Sequence, residues 1–135
     1  MFPPRNPDFA EAVARSFASQ GALRVIGAEL AVIEPGLCRI RVPYSDAVTQ
    51  QHGFFHGGVI ATVADVAGGY AAMSLCEAGW EVLTVEYKIN FVAPASGVAI
   101  LASGEVVRSG RTLLVTKMDV AAIAADGTQK ICAVA

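Results

Sequence analysis

The run from Val59 to Cys76 constrains this chain more than any other stretch, because it is almost wholly apolar and carries one charged residue, Asp65, in its middle. Its length approaches that of a membrane span, yet a central Asp costs about 2.5 to 3.5 kcal/mol on insertion. The run therefore reads as a buried helix of a soluble protein, over about residues 57–76. At 100° per residue, Ala61, Thr62, Gly68 and Gly69 flank Asp65 on its own face, with Gly58 and Ala72 one turn further out. The opposite face carries Ile60, Val63 and Tyr70, large enough to anchor the helix in a core. The Asp65 face can only form a slot. Glycine inside a helix costs up to about 1 kcal/mol relative to alanine, so Gly68-Gly69 predicts the close approach of a ligand or of another helix. On these residues alone two readings of Asp65 stand: a structural carboxylate in a tightly packed helix, or a reactive one facing a ligand.

His56-Gly57-Gly58 lies where a loop becomes this helix, so free backbone N–H groups and the positive end of the helix dipole face outward. Without side chains, Gly57 and Gly58 let a carbonyl oxygen approach those donors, as an oxyanion hole requires; a bare Gly-Gly also serves as a flexible turn. Gly57 and Asp65 are separated by about 12 Å along one helix and cannot grip the same small group. If both act on one bond, the carboxylate comes from a second copy of the chain, its helix near antiparallel across a twofold axis. Composition agrees with such an assembly: 54% of the 135 residues are hydrophobic and 16% charged, more apolar surface than one small core hides.

The formal charge of -2 removes the electrostatic footprint of a nucleic-acid binder, and small molecules are the expected partners. Cys38, Cys76 and Cys132 are odd in number and widely spaced, which suggests neither a disulfide framework nor a zinc site and fits a reducing cytoplasm. The first eight residues hold no apolar run of the kind a signal peptide needs, and neither secretion nor a membrane is expected.

The remainder predicts one domain over residues 1–135. Asn6 is placed to cap a first helix with Pro7 at its head, Phe9, Val13 and Phe17 sharing a stripe and Gly21 as its stop. Two strands follow between Leu23 and Pro43, broken at Glu34-Pro35-Gly36, and residues 49–58 read as a loop. Beyond the long helix, Val85, Tyr87, Ile89 and Phe91 alternate with Thr84, Glu86, Lys88 and Asn90, the period of a strand with one buried face that Pro94 ends. Three more strands are separated by Ser109-Gly110 and Asp126-Gly127. Strands on both sides of one apolar helix imply an α+β fold, an antiparallel sheet packed over that helix.

Taken together, His56-Gly57-Gly58 followed by Asp65, the strand Thr84-Val85-Glu86-Tyr87-Lys88-Ile89-Asn90-Phe91, and Pro94 resemble the hotdog-fold acyl-CoA thioesterases of the phenylacetate-degradation type, in order and spacing across most of the chain. The resemblance implies an antiparallel sheet wrapped around a long central helix. It further implies homodimers that associate again into dimers of dimers, and hydrolysis of acyl-CoA thioesters with no cofactor beyond the substrate's own CoA. By position, Asp65 corresponds to the acid that activates water or attacks the thioester, Gly57 to the backbone donor, and Gln50 to an amide that orients thioester or water. Thr84 corresponds to a hydroxyl near that water. His56 and Gly58 are assigned to positioning the substrate. His52 lies outside the motif, and two His residues without further ligands imply no metal. Arg108 and Arg111 flank a turn, either meeting CoA phosphates or simply solvated. The chain departs from its relatives in the bulk of Phe54-Phe55 and in Gly69, which lacks a hydroxyl and leaves any water-binding role to Thr62 or Thr84. Two rival readings are a hotdog dehydratase or hydratase using His56 and Asp65, and an acyl-CoA binder without catalysis.

Overall fold

A tight turn organises the first part of the sheet. β1 (Glu29–Glu34) and β2 (Leu37–Pro43) pair antiparallel with Glu34 opposite Leu37, which leaves Pro35-Gly36 as the turn, and Gly36 takes φ +78. That left-handed conformation suits glycine and fulfils the expected break. The computed structural model, which describes residues 2–135, continues with β3 (Asn90–Phe91), β4 (Ala99–Ser109), β5 (Leu114–Ile123) and β6 (Gln129–Val134). All pairings are antiparallel, in the order β1-β2-β4-β5-β6-β3. The long helix α3 (Gly57–Met73) packs across β2, β4 and β5. This is the hotdog arrangement, an α+β fold, as expected.

Period-two alternation turns Cys38, Ile40 and Val42 of β2 inward, each fully buried, to meet Ile60, Val63 and Tyr70 of α3 in one core. Helix and sheet approach so closely that a Cβ on Gly104 of β4 would run into the backbone of Ala67 and Gly68. Burial also pushes the Cys38 thiol up to about 12, so it stays protonated and inert at neutral pH. Among the described residues, no helix is long and apolar enough to cross a membrane.

Four local expectations are corrected. Asn6 does not cap the first helix: its Oδ1 accepts from the N–H of Asp8 at 3.0 Å, a local turn that leaves Asp8 as the N-cap and starts α1 at Phe9 (Phe9–Ser19). Gly21 is not a stop but opens a short helix α2 (Gly21–Val25), which buries Leu23 and delays the first strand to Glu29. α3 ends at Met73, short of Cys76. Finally, only Asn90 and Phe91 of the alternating segment join the sheet, by pairing with β6. Residues 81–89 are not in a strand, and their backbone makes no hydrogen bond among the described residues. The alternation is therefore not matched by a buried face within the chain: Val85 is 78% and Leu83 93% exposed.

Just past the end of α3, fully buried Ser74 joins the helix to the hairpin. Its Oγ accepts from the Gly36 N–H and donates to the Ala71 carbonyl, both at 2.7 Å. Removing it orphans a buried N–H, so Ser74→Ala is expected to lower unfolding free energy by about 1 to 3 kcal/mol, read from urea midpoints at unchanged m-value.

Candidate active site

α3 is capped by His56, whose Nδ1 accepts from the Gly58 N–H at 2.9 Å. The acceptor role requires Nδ1 to carry no proton, so the neutral ring holds its hydrogen on Nε2. A Cβ on Gly58 would stand 3.1 Å from that Nδ1, which gives Gly58 a reason of its own to be glycine. The loop feeding the helix is pinned on both sides, since the His56 N–H donates to the Val48 carbonyl at 2.8 Å and the Phe55 N–H to the Ala95 carbonyl at 2.9 Å. With the Gly58 N–H engaged, the Gly57 N–H is left as the first donor of α3 with no acceptor among the described residues. The Phe91 ring flanks it, 3.4 Å from where a Gly57 Cβ would be. Sequence reasoning missed Phe91 as a neighbour of this donor, because it assigned that ring to a buried strand face.

Two turns along α3, half-buried Asp65 lines a cleft of about 440 Å³. Thr84 Oγ1 donates to Asp65 Oδ1 at 2.7 Å, and Oδ2 has no partner among the described residues. The hydroxyl thus fixes the carboxylate by direct contact and leaves one oxygen of this cleft-lining residue without a partner. Thr62, the other hydroxyl considered, donates to the Gly58 carbonyl at 2.8 Å and is spent within its own helix. Gly69, Val82, Leu114 and Met118 supply apolar walls, and Arg111 also borders the cleft.

The structure therefore brings Asp65, Thr84 and Arg111 together, while Gly57, Gly58 and His56 stand at the other end of the helix segment, about 12 Å away by helix geometry. Gln50 does not line the cleft: its Oε1 accepts from the N–H groups of His52 and Phe54 and closes its own loop, leaving only Nε2 for any other partner. Arg108 is exposed on β4 beside a bulge and does not line the cleft. The expectation that Gly68-Gly69 together admit a ligand or helix is half corrected. Both line the cleft, but at Gly68 an added Cβ would lie 2.8 Å from Met118 Sδ of the sheet, whereas at Gly69 it would meet only Val82 at 3.9 Å.

A cleft with a pinned carboxylate and, at the far end of the same helix, an unpaired N-terminal donor suits acyl transfer. The family model of the thioesterase superfamily matches residues 52–126, more than half of the chain and inclusive of both ends of this motif. The chain belongs to the thioesterase superfamily. As a thioesterase it shares its fold closely with a thioesterase family protein from Silicibacter pomeroyi, at 44% identity and TM-score 0.90 over 93% of this chain and 92% of the other. A candidate esterase from Saccharolobus solfataricus is 33% identical over 64% of this chain and 61% of its own length, so the match leaves over a third of that relative unaccounted for. A 1,4-dihydroxy-2-naphthoyl-CoA hydrolase from Listeria monocytogenes is 25% identical over 82% of this thioesterase and 87% of the hydrolase.

Proposed function

We propose that this thioesterase cleaves acyl- or aryl-CoA in the cytoplasm, as a homodimer or dimer of dimers in which Asp65 of one protomer and Gly57 of the other act on one thioester. The observation that carries the reading is the Asp65 carboxylate, pinned on one oxygen by Thr84, without a partner on the other among the described residues, and set in the wall of a cleft. The thioester carbonyl accepts from the Gly57 N–H, where the helix dipole favours developing negative charge. Asp65 either takes a proton from the water that attacks the acyl carbon, or attacks that carbon itself to form an anhydride that water then opens. In both routes the C–S bond breaks, the acid leaves with the oxygen, and CoA departs as a thiolate that accepts the proton. A thiolate is stable enough near neutral pH to leave with little help, so no cofactor is called for beyond the CoA of the substrate. Placement within the phenylacetate-degradation type rests on the motif from His56 to Asp65, and the naphthoyl-CoA hydrolase relative supports an aryl group among the substrates. Arg111 at the cleft, with Arg108 nearby in sequence, offers charge to the CoA phosphates. Gln50 contributes through its remaining amide hydrogens.

The dimer is supported by the exposure of Leu83 and Val85 and by the backbone of residues 81–89, a strand-forming sequence with no hydrogen-bonded strand beside it among the described residues. The test combines two variants. Asp65→Asn removes the carboxylate, and Gly57→Pro removes the donor at a helix position where proline is tolerated. His56 already holds φ -66 and ψ 135, the conformation a residue before proline prefers. Gly57→Pro is expected to lower turnover by about 10² to 10³ with the fold intact by circular dichroism. Unfolding and refolding the two inactive variants as an equimolar mixture should recover roughly a quarter of wild-type activity, since mixed dimers then carry one complete site. No recovery from variants shown to form mixed dimers would place both groups of each site in the same chain.

A further inference from the structure

Gly68 and Gly69 adjoin in α3 but are small for different reasons. At Gly68 the reason is internal, because an added Cβ would lie 2.8 Å from Met118 Sδ and 2.9 Å from Thr116 Oγ1. At Gly69 an added Cβ meets only Val82 Cγ2, at 3.9 Å, an ordinary contact. The chain's own packing leaves room for a side chain there, and glycine is the poorest helix former after proline. What Gly69 preserves is volume, and that volume belongs to the cleft of about 440 Å³ that also holds Asp65. Gly69 stands four residues beyond Asp65, one helical turn further from the N-terminus on nearly the same face. An acyl group whose carbonyl carbon sits at Asp65 would lay the atoms just past that carbon over Gly69, against the apolar walls of Val82, Leu114 and Met118.

We infer that Gly69 is the residue that sets the size of the acyl group accepted, its missing side chain admitting a bulky substituent next to the thioester carbon. The inference rests on the thioesterase reading above and adds to it a selectivity that no catalytic group controls. Leucine at position 69 takes up cleft volume one turn beyond Asp65, so it should exclude large acyl groups and spare small ones. A hydrophobic site discriminates by about 10- to 200-fold per methylene-sized change, which sets the scale of the effect.

The experiment compares wild type, Gly69→Ala and Gly69→Leu with benzoyl-CoA and acetyl-CoA. The ratio of kcat/KM for benzoyl-CoA over acetyl-CoA is expected to fall by about 10- to 100-fold in Gly69→Leu and by less in Gly69→Ala. Binding of the same two thioesters is measured in the Asp65→Asn background through Trp80, the single tryptophan of the chain and part of the cleft lining. There Gly69→Leu should weaken benzoyl-CoA and leave acetyl-CoA nearly unchanged. Equal losses for both thioesters, or an unchanged ratio in folded protein, would overturn the inference. So would dissociation of the Gly69→Leu oligomer in sedimentation, which would assign the space to a second copy of the chain. Wild type that hydrolyses neither thioester would defeat the hydrolytic reading instead, and the Trp80 titrations would still decide whether Gly69 reads acyl size.

Discussion

Asp65→Asn is expected to reduce thioester hydrolysis by about 10² to 10⁴, the range that general-base catalysis supplies, while leaving the fold and the oligomer unchanged. Asparagine keeps the shape of the side chain and, through its amide oxygen, can still accept from Thr84 Oγ1, which lies 2.7 Å from Asp65 Oδ1. What it loses is the second carboxylate oxygen, the atom to which the proposed mechanism assigns either proton abstraction from water or attack on the acyl carbon. The loss should appear in kcat more than in KM, since the proposed mechanism leaves holding of the ground-state thioester to the cleft walls and the Gly57 N–H. Release of CoA thiol from a panel of acyl- and aryl-CoA thioesters measures it. A rate close to wild type in the purified variant would remove Asp65 from the mechanism.

The largest effect on stability is expected far from any substrate, at Gly104. A methyl group there would collide with the backbone of Ala67 and Gly68, atoms that have no rotamer by which to yield. Gly104→Ala must lift α3 from β4 and should cost about 3 kcal/mol, read as a fall in Tm of roughly 10 °C by calorimetry. Gly69→Ala provides the contrasting arm: its methyl meets only Val82 at 3.9 Å, so the better helix propensity of alanine should leave Tm unchanged or raise it. Equal Tm values for the two variants would show that the close approach at Gly104 carries no weight. Activity of Gly104→Ala should fall as well, because Asp65 lies one turn before Gly68 and moves with the helix. A displacement near 1 Å at a reacting group can cost about 10² in rate.

Much of this arrangement was legible in the sequence because it depends on local periodicity. The central helix follows from an apolar run interrupted by one acid, the hairpin from Pro35-Gly36, and the antiparallel order from strands flanking that helix. Contacts between distant segments were less accessible. The Thr84–Asp65 hydrogen bond joins residues nineteen positions apart, and the motif only brought Thr84 near a water. Gly68 and Gly69 look alike in a sequence and both line the cleft, and only the positions of Met118 and Thr116 show that the first has no room for a side chain while the second has. Likewise Gln50 has the right chemistry at the right spacing, yet its side-chain oxygen is committed to the loop it belongs to. The alternation from residue 84 to 91 marked a chain that seeks a neighbour. Periodicity reports that two faces differ, and cannot report which chain covers the apolar one.

The unsatisfied backbone of residues 81–89 has a consequence for how the protein behaves in solution. Thr84 lies on this same stretch, so whatever orders it also orders the Asp65 carboxylate. With a second copy as the neighbour, mass action links assembly to catalysis: dilution below the dimer dissociation constant removes the covering strand, leaves Leu83 and Val85 exposed, and parts Asp65 of one protomer from Gly57 of the other. Specific activity then becomes a function of enzyme concentration, falling on dilution and returning on concentration, and the melting temperature follows the same curve.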